Sequence, residues 1–138
     1  MLVKRLFVIG LLFFSLCSCR SQNYRPIFHF SPPDNWTNDP NGLVYYNGEY
    51  HLFYQYNPFG NTWGHMSWGH AKSRDMMKWT HLPVAIPEIK LDNNKTAMIF
   101  SGTAVVDNKN TAGLGNAQNK SPLVAVYTAN IDSAGNGL

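Results

Sequence analysis

The stretch Trp36-Thr37-Asn38-Asp39-Pro40-Asn41-Gly42 sets one carboxylate among amides, an aromatic ring, a proline and a glycine. That composition suits a site better than a core. A proline pushes the residue before it out of the α region into an extended backbone and brings no N–H donor of its own. Asp39 is therefore aimed by a stiff backbone. An ionised carboxylate held in this way can act as a nucleophile. Neighbouring amides such as Asn38, and backbone N–H groups, are the expected donors to its charged form. Asn41-Gly42 supplies turn chemistry ahead of a strand over 43–46, which puts Asp39 at the mouth of a sheet. Read alone, the segment is equally an Asx turn leading into a strand.

The flanks add information. Phe28-His29-Phe30-Ser31-Pro32-Pro33 lies just upstream and Phe53-Tyr54-Gln55-Tyr56-Asn57-Pro58 just downstream. Together the three segments resemble the N-terminal signature of glycoside hydrolase family 32, the β-fructofuranosidases that include invertases, levanases and inulinases. The resemblance covers roughly 25–128. It implies a five-bladed β-propeller followed, in a full-length member, by a C-terminal β-sandwich. It also implies that Asp39 attacks the anomeric carbon of a terminal β-D-fructofuranosyl unit of sucrose, levan or inulin. Water would then cleave the covalent fructosyl-enzyme.

Matched residue by residue, the family's substrate-binding positions fall on Trp36, Asn38, Gln55, Trp63, Phe100 and Ser101. Their amides and hydroxyl can pair with sugar hydroxyls, and the aromatic rings can cover apolar sugar faces. Taken singly, Gln55 reads as a surface amide and Trp63 as core packing; their order and spacing relative to Asp39 favour the site. Ser101-Gly102 is the weakest match, and Thr103 stands where many relatives have Ser or Cys. The resembled chemistry calls for no metal and no cofactor.

Retaining glycoside hydrolysis needs a second carboxyl about 5–5.5 Å from the nucleophile. The family's transition-state stabiliser lies in an Arg-Asp-Pro motif and its acid/base in a Glu-Cys motif, and the sequence contains neither. Glu49 at a hairpin, Asp75 in a turn, and Glu88 and Asp92 in a connector read as solvated surface carboxylates. Two other readings compete: a related propeller hydrolase acting on arabinofuranosides, and a non-catalytic fructan-binding lipoprotein. The long tryptophan motif disfavours the first.

The elements that must hold these residues read as all-β. Asn47-Gly48 between 43–46 and 49–56 is a type I′ hairpin signal. Alternation puts His51, Phe53 and Gln55 on one face, with Tyr50, Leu52, Tyr54 and Tyr56 on the other. A strand over 66–73 and an outer strand over 79–82 complete a four-stranded sheet, with a turn at 73–79. Residues 86–96 read as a polar connection to a second sheet, whose strands at 98–106 and 123–128 flank a loop rich in Asn, Gly and Lys. The chain is expected to be a fragment holding the first one to two blades, since a lone blade leaves an apolar face and open edges uncovered.

The chain has 138 residues, 44% hydrophobic and 14% aromatic, which fits one modest globular domain. Residues 1–5 are a short basic start, 6–16 an apolar run of eleven, and Leu16-Cys17-Ser18-Cys19 ends it. A bilayer span needs about 20 apolar residues, so 1–19 reads as an export signal. Leu-Cys-Ser-Cys looks like a bacterial lipobox with Cys19 as the lipidated residue, 20–24 as a tether and 25–138 as the propeller part. The expected product is an exported lipoprotein, periplasmic or at the cell surface, anchored to a membrane through Cys19. No cysteine follows Cys19, which excludes disulfides and thiolate metal sites from the folded part.

Eleven basic residues less Lys4 and Arg5 leave nine against eight acidic ones, a net +1 with no Lys/Arg cluster and hence no nucleic-acid footprint. His29, His51, His65, His70 and His81 lack the spacing of a metal site.

Overall fold

Asn47 and Gly48 both take positive φ, 50° and 83°. That is the type I′ geometry whose twist matches the strands it joins. From this turn the first sheet unfolds as a meander. A computed structural model describes residue 26, residues 28–92 and residues 94–132. Cys19, the export segment and the tether lie outside the described residues. Among the described residues there are seven strands and no helix. Strands β1 (Thr37–Tyr46), β2 (Glu49–Tyr56), β3 (Ser67–Ser73) and β4 (Thr80–Ile86) form one antiparallel sheet in that order. Strands β5 (Ile89–Lys90), β6 (Thr96–Val106) and β7 (Leu123–Asp132) form the second.

The all-β class and the four-stranded first sheet are borne out, with three corrections. β1 begins at Thr37, so Asp39 lies inside a strand and not in a turn before one. The extended backbone that Pro40 imposes on Asp39 is itself strand geometry. Asn41-Gly42 forms an irregularity of that strand, with register shifts against β2 on both sides of Pro40-Asn41. Residues 86–96 are not simply a connector, because Ile89 and Lys90 pair with Ala97 and Thr96 of β6. The outer strand runs on to Ile86 and β7 to Asp132, both farther than the apolar pattern suggested. The turn at 73–79 is present: Asp75 Oδ1 accepts from the backbone N–H groups of Met77 (2.9 Å) and Lys78 (2.8 Å).

Alternation along β2 decides the packing. Phe53 faces the second sheet, where it packs with Trp68, Ile99 and Ala104 and is flanked by Val44 and Leu123. Trp68 and Ile99 are fully buried, which is worth about 1.5–3 kcal/mol for a side chain such as Ile99. On the opposite face Leu52, Tyr54 and Ala71 are covered by Phe30 and Trp79. The upstream segment is thereby pinned to the sheet, with the Phe30 ring 4.7 Å from that of Tyr54.

Two glycines make close approaches possible. A Cβ on Gly42, whose φ is +55°, would lie 2.3 Å from Ala104 N on β6. One on Gly69 would lie 2.3 Å from the Tyr54 ring. His51 and His70, diagonal across β2 and β3, pair through Nδ1 and Nε2 at 3.0 Å. His70 also stacks on Phe53 with ring centroids 4.4 Å apart. Burial, reinforced by His51 and Lys72, pushes His70 down to about 4. Burial also lowers His51, against the pull of Glu49.

A neutral, half-buried pair of this kind makes stability depend on pH. The unfolded chain binds a proton at each histidine near 6.5 while folded His70 resists until about 4. The stability is therefore complete above 6.5 and is lost as pH falls from there toward 4. The carboxylates Glu49 and Glu88 sit below their ordinary 4.5 and do not contribute to the upper part of that window. Thermal melts between pH 7 and 4.5 should show the midpoint falling steadily, with a visibly flatter profile for His70→Gln. Gly69→Ala should cost about 2 kcal/mol or more in a denaturant titration, because the Tyr54 ring is locked in the core and cannot give way.

Candidate active site

Asp39 is the third residue of β1, exposed at the end of the sheet. Its Oδ2 accepts a 2.7 Å hydrogen bond from Ser101 Oγ on β6. The donor comes from the other sheet, not from Asn38 beside it as the sequence suggested. The contact depends on the close packing of β1 against β6, which Gly42 makes possible because any Cβ there would collide with Ala104.

Around this pair opens a cavity of about 380 Å³, lined by Asn38, Asp39, Gln55, Trp63, Met66, Phe100, Ser101 and Thr128. Six of the seven expected positions thus converge. Trp36 is the exception. Half-buried just before β1, it is not among the lining residues, and its peptide groups clamp the loop at 57–60. Trp36 N–H donates to the Gly60 carbonyl and the Trp36 carbonyl accepts from Asn57 N–H, both at 3.0 Å. Met66 and Thr128 were missed. Neither carries a sequence signal: Met66 reads as an ordinary strand residue, and Thr128 as the end of an apolar strand.

The floor is a buried amide network. Gln55, only 3% exposed, donates from Nε2 to the Ile99 carbonyl at 2.9 Å. Trp68 Nε1 donates to the Phe100 carbonyl at 3.0 Å. Asn41 is fully buried beside them. With its amide turned so that the oxygen faces these donors, it accepts from Trp68 Nε1, Gln55 Nε2 and Gln55 N–H, each at 3.2 Å. The opposite orientation turns the Asn41 amide nitrogen toward these three N–H groups, donor against donor, so the network selects this one. Buried polar groups satisfied in this way fix the geometry of the strands that carry them.

The wall is aromatic. Trp63 and Phe100 meet nearly edge to face, centroids 6.3 Å apart at 69°. Trp63 rides on a loop that Asn57 organises from within: its Nδ2 donates to the Thr62 carbonyl at 2.8 Å and its Oδ1 accepts from Phe59 N–H at 2.9 Å.

Asp39 is the only carboxylate among the lining residues. The others are placed elsewhere. Glu49 is engaged by Lys72 at 2.8 Å, which lowers its carboxyl. Glu88 corrects the sequence reading, since its side chain is 6% exposed and not solvated. Burial pushes that carboxyl up, but Lys90 at 2.6 Å and His65 at 3.0 Å outweigh it and the net shift is downward. Among the described residues no three His, Cys, Asp or Glu side chains converge to hold a metal ion.

Residues 29–137 match the family model for the glycosyl hydrolases family 32 N-terminal domain. The chain is 57% identical over 108 residues to a levanase of Bacillus subtilis (strain 168), an alignment covering 78% of this chain and 15% of the relative. It is 55% identical over 108 residues to an extracellular exo-inulinase of Aspergillus awamori, covering 78% and 20%. A crystal structure of exo-inulinase from Aspergillus awamori superposes with a TM-score of 0.72 at 54% identity, covering 79% of this chain and 21% of that one. The β-fructofuranosidase of Schwanniomyces occidentalis, solved with fructosyl-erythritol, gives a TM-score of 0.67 at 42% identity, with coverage of 77% and 21%. The chain therefore spans about a fifth or less of the length of these proteins. It belongs to glycoside hydrolase family 32, and its two sheets are blades of the five-bladed β-propeller that forms the family's N-terminal domain.

Proposed function

We propose that this chain supplies the nucleophile and part of the sugar pocket of a hydrolase that releases terminal β-D-fructofuranosyl residues from sucrose or from fructans of the levan and inulin type. The observation that carries this reading is the Asp39–Ser101 contact at the open end of a cavity lined by amides and aromatics. Ser101 takes Oδ2, and among the described residues no donor engages Oδ1. One carboxylate oxygen is thus oriented while the other is left to attack. Bond formation from Asp39 to the fructosyl anomeric carbon would displace the leaving alcohol, and water would then cleave the ester with retention. Asn38 and Gln55 would pair with ring hydroxyls, and Trp63 and Phe100 would cover the apolar face of the ring.

The reaction also needs a carboxylic acid about 5–5.5 Å from Asp39 to protonate the leaving oxygen. That acid is to be sought outside the described residues. A levanase and an extracellular exo-inulinase among the relatives support both the substrate class and export. The basic start, apolar run and Leu-Cys-Ser-Cys support anchoring through lipid on Cys19.

In the protein that carries this chain, Asp39→Asn should lower fructose release from sucrose and levan by about 10⁴-fold or more. Ser101→Ala should lower kcat by about 10²-fold, the scale of a misplaced nucleophile. Fructose release undiminished in Asp39→Asn would sink the assignment. Fructan binding with no release by the unaltered protein would favour the non-catalytic binder. Cys19→Ala should move the protein from the membrane fraction to the soluble one and remove the lipid mass seen by intact mass spectrometry; an unchanged distribution refutes the anchor.

A further inference from the structure

At the far end of β1 from Asp39 lies a larger hollow, about 580 Å³, within the roughly 300–1,000 Å³ range of ligand pockets. It opens between the Asn47-Gly48 turn and the loop at 107–122 that joins β6 to β7. Asp39 and Tyr45 are six residues apart on one strand, which at about 3.3 Å per residue puts the two cavities roughly 20 Å apart.

The loop is built by its own polar side chains. Asp107 accepts from Thr111 and Ala112 N–H, Asn110 Oδ1 from Gly115 N–H at 2.7 Å, and Asn116 Oδ1 from Gln118 and Asn119 N–H. Asn119 Oδ1 then accepts from the Tyr46 hydroxyl at 3.1 Å and ties the loop to β1. These amides are spent on structure. A second set is not: among the described residues no hydrogen bond or ion pair engages the side chains of Asn47, Asn108, Gln118 or Lys120, all of which line the hollow. Beside them Tyr45 is 60% exposed, and its ring is steadied by Tyr50 across the strand pair at 4.9 Å. A steadied aromatic ring beside uncommitted amides, on a loop whose backbone is held by its own hydrogen bonds, can meet a ligand without breaking an internal contact.

The chemistry selects the ligand class. Each free amide offers donors and an acceptor, which suits vicinal hydroxyl groups, and an aromatic face stacks on a sugar ring. No carboxylate lines the hollow, so it has no group for glycoside cleavage. One lysine without an arginine is a poor match for phosphate or sulfate, which are held by convergent cations. We infer that this hollow is a second, non-catalytic glycan site that holds a fructan chain while its terminus is cleaved at Asp39. The identity of the glycan rests on the proposed function. Retaining the polymer would raise the effective concentration of chain ends at the cleavage cavity without any new contact there.

The test uses the protein carrying Asp39→Asn, which should bind without turnover, titrated with levan and with inulin. Asn108→Ala, Gln118→Ala and Lys120→Ala are combined in it, since these side chains make no internal bonds and their loss should leave the melting profile unchanged. Polymer affinity should fall by about tenfold, the scale of a few lost hydrogen bonds. Tyr45→Ala should weaken it independently. With Asp39 restored, the triple variant should keep kcat/KM on sucrose within about twofold, since no lost contact serves a single sugar unit. Polymer affinity unchanged in both variants overturns the second site. Absence of fructose release by the unaltered protein overturns the proposed function instead, and the affinity comparison still decides this site.

Discussion

The approach of β1 to β6 is the constraint on which the rest of the structure depends. Two strands from different sheets come close enough that a single methyl group at Gly42 would collide with Ala104 N at 2.3 Å. That proximity lets Ser101 on one sheet reach Asp39 on the other at 2.7 Å. Gly42 also holds a φ of +55°, a conformation costly for residues with a side chain. Strand β1 is thus irregular around Asp39 and regular toward its hairpin, where residues 43–46 pair in sequence with residues 52–49.

Apolar packing alone would not hold that approach in register. Phe53, Trp68 and Ile99 supply the non-directional part of the contact between the sheets. The directional part comes from Gln55 on β2 and Trp68 on β3, which donate to the Ile99 and Phe100 carbonyls of β6, with Asn41 on β1 accepting from both side chains. A slip of one residue in β6 would leave several of these buried groups unsatisfied, at about 1–3 kcal/mol each. Buried amides therefore trade a modest net stability for one allowed register. Phe100 and Ser101, which follow Ile99 directly, are delivered to the cavity by that choice.

Much of this was legible in the residues. Asn47-Gly48 announced the hairpin, and the alternation of His51, Phe53 and Gln55 against Leu52 and Tyr54 predicted both packing faces. Local rules were less reliable where tertiary contacts compete with them. Asn41-Gly42 has the composition of a turn, yet pairing with β2 and packing on β6 draw it into a strand as a bulge. Glu88 reads as a surface charge, and only the fold shows it enclosed between His65 and Lys90. Met66 and Thr128 could not be found in advance, because lining a cavity is a property of where strands end in space and leaves no local trace.

The distribution of charge around the cavity fits the chemistry proposed for it. Lys72 and Arg74 are drawn to Glu49, and Lys90 with His65 to Glu88, so these four groups are matched away from Asp39. An ammonium or guanidinium on Asp39 would lower its charge density and stand where positive charge must develop on the sugar. A serine hydroxyl satisfies one lone pair of the carboxylate without either penalty and fixes which oxygen faces the ring. The transition state is oxocarbenium-like, and an unpaired carboxylate beside it stabilises that charge before the covalent bond is complete. In the proposed reaction the same carboxylate would serve in both roles, and among the described residues no cation is paired with it.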